Sequence, residues 1–529
     1  MKRFKITFFL LLGMLATVSC TKDFLDAELI TEVTDENFYR TPQDADAALV
    51  GVYDGMQAAV GGVGGLSYPL ASMILSDNMY GGTGNADTFT FQAVDEFDIS
   101  RSPTDANLYE PLWVAYYRGI YRANVLLSKM DQIDWSENPE KRNQVESETR
   151  FIRAYLYFQM VKLWENIPLL TEASSENMPQ ATPEEVYSVI AEDLSFAAEN
   201  LPAVAYNTVQ PGRVTKWAAK SMLARVYLYY TGYYSASDLV GLVSQSEALQ
   251  HLEDVIQNSG HGLVADYATL WPAASLDNFA GENNQEIVFS VKHTFTSDYN
   301  GNTDGNHWMV MLGMREFTQY PYANGWGVTV TEELYDAYNP ADTRREASII
   351  AVEEEDISFD KIQSQREYTG YYSKKYTPLA TEDGGSLAVE LGGTDFMIGQ
   401  FQDFYVVRYA DVLLMAAELG SSNAQAYFDQ VRERAYQDDF TSLTLTQESL
   451  QKERRLEFAL EGLRYWDLLR RGVSEAAAEI AVSTTVLNGG VEAQKTISAS
   501  NIQTTRGLQQ IPNNQITLSD GVLVQNPGW

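Results

Sequence analysis

Apolar residues recur every three or four positions along most of this chain, and that spacing restricts it to a fold of helices with one buried face each. Trp113, Tyr117, Ile120, Asn124 and Leu127 form one such stripe, and Phe151, Tyr155, Phe158 and Val161 form the next. A second pair starts at Thr182-Pro183-Glu184-Glu185, which supplies an N-cap hydroxyl, a proline at the first helical position and acids in the first turn. Val186, Ile190, Leu194 and Ala197 carry its stripe, and Ala218, Met222, Val226 and Tyr229 carry that of its partner. Ala248, Leu252 and Val255 add a helix. Val412, Met415 and Leu419, then Tyr427 and Val431, then Leu456, Ala459, Leu463 and Trp466 continue the series toward the C-terminus. Thr41-Pro42, followed by Asp44 and Asp46, marks an earlier helix start. A single stripe cannot bury itself, so successive pairs must stack on one another, as in tetratricopeptide-like arrays. The predicted fold class is mainly α, a tetratricopeptide-like scaffold of helical pairs with long loops and small β elements that form a ligand-binding face.

Two stretches break the pattern. Residues 61–102 are rich in Gly, Asp, Asn and Thr with scattered aromatics and read as long irregular loops. Residues 271–391 show a similar composition with short β-type runs such as Ile287-Val288-Phe289-Ser290-Val291, and read as a loop-rich insertion with small strands. Loops on a rigid scaffold are where binding residues concentrate.

The N-terminus places Lys2, Arg3 and Lys5 ahead of an apolar run from Phe8 to Met14 and small residues ending at Ser19, the build of a secretory signal over residues 1–19. Cys20, the sole cysteine among 529 residues, follows immediately. A lone cysteine at a cleavage point resembles a bacterial lipoprotein site, where the thiol is acylated and several acyl chains hold the protein on a membrane. The apolar run is too short for a mature anchor, and no later stretch offers about 20 uninterrupted apolar residues. The net charge of −35 repels phosphate backbones and anionic lipid alike, so nucleic acid is excluded as a partner and neutral ligands, cations or proteins are favoured.

Motifs spread from Cys20-Thr21-Lys22-Asp23-Phe24-Leu25-Asp26 through Phe151-Ile152-Arg153-Ala154 and Glu453-Arg454-Arg455-Leu456 to Gln525-Asn526-Pro527-Gly528-Trp529 together resemble the SusD/RagB family of Bacteroidetes outer-membrane nutrient-binding lipoproteins, over nearly the whole length. They are Cys20-Thr21-Lys22-Asp23-Phe24-Leu25-Asp26 with Glu36-Asn37-Phe38-Tyr39, and Phe151-Ile152-Arg153-Ala154-Tyr155-Leu156-Tyr157-Phe158. Gly212-Arg213-Val214-Thr215-Lys216 leads into Ala224-Arg225-Val226-Tyr227-Leu228, and Val407-Arg408-Tyr409-Ala410-Asp411 leads to Ala417-Glu418. The helix Glu453-Arg454-Arg455-Leu456-Glu457-Phe458, with Glu461-Gly462, Arg464 and Asp467-Leu468, and the terminal Gln525-Asn526-Pro527-Gly528-Trp529 complete the set. Trp164-Glu165-Asn166-Ile167-Pro168 departs from it, with Glu and Asn where a glycine-containing turn is common. The resemblance implies one SusD-like domain over residues 20–529, with an N-terminal part over about 20–235 and a C-terminal part over about 236–529. It further implies a lipoprotein facing the cell exterior that binds a glycan and caps a SusC-like TonB-dependent transporter. Peptide capture is the alternative, and a scaffold or a surface glycosidase are further ones. The charged residues of these motifs, Arg153, Arg408, Asp411, Glu418, Glu453, Arg454, Glu457, Arg464 and Asp467, lie on amphipathic helices and are expected to pair with one another to fix helix register.

No nucleophile elbow, zinc motif, phosphate loop or dinucleotide fingerprint is present, and the four histidines are scattered, so no enzyme activity, catalytic residue or metal is expected. Asp298, Asn300, Asn302, Asp304 and Gly305 alternate like the opening of a calcium loop, but no Glu follows at the required place; a turn-rich surface loop is expected there, with calcium as the alternative, and otherwise no cofactor. Neutral sugars stack C–H faces on aromatic rings and bond through hydroxyls to Asp, Asn and Arg. Loops carrying both residue types are the candidates: Asp77, Asn78 and Tyr80 with Phe89 and Phe91, and Trp308, Tyr320, Tyr322, Asn324 and Trp326.

Overall fold

A computed structural model describes residues 38–529 apart from 63–65, 106 and 175. Cys20, the leader over residues 1–19 and the motif that follows them lie outside the described residues. The helices of the scaffold are α1 (Pro42–Gly61), α2 (Glu110–Lys129), α3 (Pro139–Trp164), α4 (Pro183–Asn200), α5 (Lys216–Tyr234), α6 (Gln245–Asn258), α7 (Tyr409–Glu418), α8 (Ala424–Tyr436), α9 (Gln447–Glu457) and α10 (Arg464–Leu469). From α1 to α8 each packs on the next in chain order, the arrangement expected of stacked helical pairs.

Local chemistry sets the helix boundaries. Thr41 accepts a hydrogen bond from the Asp44 amide while the Asp44 carboxylate accepts from the Thr41 amide at 2.8 Å, a reciprocal cap that starts α1. Thr182 and Glu185 repeat the device at α4. The stripe residues Val186, Ile190, Leu194 and Ala197 are fully enclosed, as are Ala248, Leu252 and Val255 on α6. The series from Leu456 to Trp466 is not one helix. It breaks after Glu457, and the carbonyl of Ala459 accepts from the buried Lys375 ammonium at 2.8 Å before α10 begins. That interruption trades intrahelical bonds for a buried cation's hydrogen bonds.

The charged motif residues hold the elements together. Arg153 on α3 clamps Asp193 on α4 through two bonds at 2.8 and 2.9 Å. Strand β1 (Ile287–Val291) pairs antiparallel with β2 (Phe404–Arg408), and both are buried throughout. At the end of β2, Arg408 bonds Glu286 at 2.5 Å, Glu457 at 2.8 Å and Glu461 at 2.8 Å. Arg434 of α8 also bonds Glu286 and Glu457, and Arg344 bonds Asp342, Glu453 and Glu457. Arg454 lies between Asp411 of α7 and Asp467 of α10, at 2.6 and 2.9 Å. These pairs are largely desolvated, which makes removal of one partner far costlier than the pair's own net worth.

Residues 61–102 differ from the irregular loops expected. They contain short helices at Tyr68–Ile74 and Thr90–Asp95 and a strand at Met79–Tyr80, and Leu70, Ile74 and Leu75 are fully enclosed. Polar composition misleads here because Ser67, Ser72 and Ser76 spend their hydroxyls on neighbouring backbone rather than on water. A hairpin follows the helices, β3 (Val482–Asn488) with β4 (Val491–Ile497), paired Asn488 to Val491. Its two-residue loop, Gly489-Gly490, has φ of +60° and +78°, the conformation of a type I′ turn that only residues like glycine adopt without strain. Among the described residues no helix is long and apolar enough to cross a membrane.

Candidate functional site

The two aromatic loop clusters singled out in the sequence are brought together. Met79–Tyr80 pairs antiparallel with Thr329–Val330, so the chain after residue 80 runs beside the chain before residue 329. Gly84 then bridges Gln365, and the Asn85 amide donates to the Ser364 carbonyl at 2.8 Å. The hairpin tip closes the group, with the Gly489 amide on the Gln365 carbonyl at 2.7 Å and Asn488 accepting from the Glu367 amide at 2.8 Å. Four distant segments thereby form one surface.

Its polar centre is the pair Arg315–Asp87, two bonds at 2.9 and 3.3 Å, with Asp87 also accepting from the Gly84 amide at 2.8 Å. Gly84 leaves room for the pair: a Cβ there would fall 2.2 Å from the Arg315 guanidinium carbon and push that side chain aside. The guanidinium sits 5.4 Å from the half-buried Trp326 ring. Phe89, 39% exposed, lies over Arg366 at 3.9 Å and Arg101 at 5.1 Å. Arg366 is itself fixed by the carbonyls of Asn85, Asp87 and Thr88, so the ring rests on a rigid cationic base. Asn324 accepts from the Glu316 amide at 2.7 Å, and Tyr320 stands 48% exposed on the connecting loop. The result is a surface rim that sets the rings of Phe89 and Trp326 beside paired guanidinium groups and the Asp87 carboxylate, with Tyr320 and Asn324 on the adjoining loop.

Five of the predicted contacts belong to the interior instead. Asp77 receives two bonds from Arg464 at 2.9 and 2.8 Å. Burial would raise its carboxyl pKa, but Arg464 and Arg455 outweigh that and hold it below the usual carboxylate value. Asn78 accepts from Arg455 at 3.0 Å. Tyr80 is enclosed beside Lys495, and burial pushes its phenol up to about 12. Trp308 has no exposed surface and packs against Tyr376 and Phe404 with centroids 5.1 and 5.7 Å away. Tyr322 is buried in a small second core and donates to Glu355 at 2.7 Å. Trp308 and Tyr322 flank the loop as supports, because a loop that presents Trp326 needs apolar mass beneath it. Tyr320, Asn324 and Trp326 remain on the surface. Asp87, Arg315 and Arg366 went unnoticed; the run Gly81-Gly82-Thr83-Gly84, which signals close backbone approach, was the available clue.

The loop at residues 298–305 turns its oxygens onto its own backbone, Asp298 accepting from the amides of Asn300 and Asn302, and Asn302 from that of Asp304. Among the described residues no three His, Cys, Asp or Glu side chains gather as a metal site. A larger cleft, about 1020 Å³, opens between α5, α7, α9 and α10, but its arginines Arg454, Arg464 and Arg470 are each paired with carboxylates.

The architecture is a stacked-helix scaffold that carries this loop surface on one side. Residues 24–228 match the family model described as starch-binding associating with outer membrane, and residues 285–529 match the model of the SusD family. The chain belongs to the SusD/RagB family. It is similar to SusD-like protein P2 of Formosa agariphila, 26% identical with all of both chains covered. A SusD-like protein of Bacteroides ovatus is 26% identical, with 85% of this chain and 79% of that one covered. Among solved structures, a laminarin binding SusD-like protein superposes with a TM-score of 0.71 at 29% identity, covering 93% of this chain and all of that one. Surface glycan-binding protein A from Bacteroides thetaiotaomicron, in complex with laminarihexaose, superposes at 0.73 with 23% identity, covering 92% and 99%, which speaks for the shared fold.

Proposed function

We propose that this protein captures a neutral glycan at the cell surface and passes it to a SusC-like TonB-dependent transporter, binding without cleaving it. The observation that carries the reading is the surface rim that sets Phe89 and Trp326 beside Asp87 and Arg315, with Asn324 and the exposed Tyr320 on the adjoining loop, a chemistry suited to sugar rings and hydroxyls. Family membership supports it, as does the name of the 29% identical laminarin binding neighbour. Attachment through acylated Cys20 on the outward face of the outer membrane belongs to the same reading.

Electrophoresis through gels containing laminarin or xyloglucan tests it. Retardation by a glycan is expected, and Trp326→Ala should weaken it by about 1–2 kcal/mol, roughly five- to thirtyfold. Wild-type mobility unchanged by a broad glycan panel would refute glycan capture. Release of reducing ends by the purified protein would refute binding without cleavage.

A further inference from the structure

The connector between α4 and α5, with the segments near His261 and β1, encloses a cavity of about 200 Å³ that shares no residue with the rim described above. That is below the roughly 300–1,000 Å³ of sites for drug-sized ligands and suits a single sugar ring. Its wall is the ring of Tyr206, lying nearly parallel to the imidazole of His261 with centroids 4.3 Å apart. The His261 Nδ1 is fixed on the Gln285 carbonyl at 2.9 Å, so the tyrosine has a rigid flat backing. Burial lowers the imidazole pKa to about 4, which leaves that backing uncharged at neutral pH.

The polar groups around this ring are unspent. The side chains of Tyr206, Asn207 and Gln210 make no hydrogen bond with any described residue, and Asn283 uses only its carbonyl, toward Lys292 at 3.1 Å. The one guanidinium in the lining, Arg213, is matched by the buried Glu148 at 2.7 Å. Glu282, the lining carboxylate, accepts from the Asp403 amide at 2.7 Å. The cavity thus offers an aromatic platform and three amides without an uncompensated cation, the chemistry of an uncharged polyol and not of an anion.

We infer that this cavity is a second sugar subsite, taking one neutral pyranose unit on Tyr206 with Asn207, Gln210 and Asn283 at its hydroxyls. The inference takes its ligand class from the glycan reading, but none of its residues. Two sites on one chain engage separate units of a polysaccharide, so each strengthens the other through effective concentration.

Saturation-transfer NMR with methyl β-glucoside, methyl β-galactoside and methyl α-mannoside tests it on wild type, Trp326→Ala, Tyr206→Ala, Tyr206→Phe and the exposed double variant Asn207→Ala/Gln210→Ala. At least one glycoside should receive saturation from wild type and Trp326→Ala alike. Tyr206→Ala should weaken that contact about tenfold, and Tyr206→Phe should largely retain it. The double variant, which alters only surface amides, should also weaken it and serves if Tyr206→Ala misfolds. No glycoside contact in wild type, or contact indifferent to Tyr206 and to both amides, overturns the inference. Trp326-dependent retardation by a polysaccharide would survive that failure. Conversely, a Tyr206-dependent glycoside contact without polysaccharide retardation would uphold this cavity and remove the rim.

Discussion

Glu457 shows how a single side chain can carry much of a fold's stability. Burial disfavours its charge, but Arg434, Arg408 and Arg344 surround it and hold its carboxyl far below the ordinary value. Glu457→Gln leaves three buried guanidinium groups short of a counter-charge and should cost about 3–5 kcal/mol, read as a lowered urea midpoint. Trp308→Ala should cost a similar amount, about 3–5 kcal/mol, through the cavity it opens. With folding intact at low temperature, it should leave glycan retardation far closer to wild type than Trp326→Ala does. Acid adds a further test. His261 and His293 are pushed down to about 4 by burial, so between pH 6.5 and 4 the unfolded chain binds more protons than the folded one. The histidines' contribution to stability therefore falls as pH drops through that window, opposed by buried carboxyls such as Asp403, whose pKa burial raises. Asp411, held near 2 by Arg225 and Arg454 against burial, extends the loss at lower pH still. That contribution is the difference between wild type and His261→Gln/His293→Gln, and an identical pH dependence of melting temperature in both from pH 7 to 4.5 would contradict this assignment of the histidines.

At the level of elements, the β3–β4 hairpin decides how the surface is built. Its turn needs two consecutive left-handed residues, so Gly489→Val forces strain of about 1–2 kcal/mol into the loop and displaces the tip from Gln365. A drop in melting temperature together with weakened glycan retardation is expected; weakening of neither would separate the hairpin from the face. The helices were legible because apolar stripes and caps are local: Thr41, Thr182 and the Val186–Ala197 series act within a turn or two of themselves. The hairpin carried the Asn488-Gly489-Gly490 signal and could have been read. The placement of Asp77, Trp308 and Tyr322 could not, because their burial depends on Arg464, Phe404 and Glu355, all far away in sequence. Composition pointed to loops that the fold brings together, and long-range pairing decided which of their side chains face outward.

The whole molecule carries a net charge of −35, yet its cations are largely committed to internal carboxylates such as those around Arg344, Arg408 and Arg454. Long-range attraction then contributes little to capture of an uncharged polymer. Retardation by a neutral glycan should change less than about twofold between low and physiological salt, whereas a basic peptide ligand would weaken steeply over the same range. The same experiment separates the glycan and peptide readings at the scale where they differ.

The meeting of residues 84–89, 315–326, 363–366 and 488–490 has a consequence for biogenesis. The loops that follow α1 rest first on the 329–330 and 364–365 segments, and the hairpin tip, made near the end of synthesis, is the last of these neighbours to arrive. A polypeptide cut short before Val482 loses the hairpin tip from the rim and also Lys495, Gln509 and Gln510, which bond Asp95, Tyr109 and the Leu108 amide in the interior, so the C-terminal segment finishes the surface and the scaffold beneath it together.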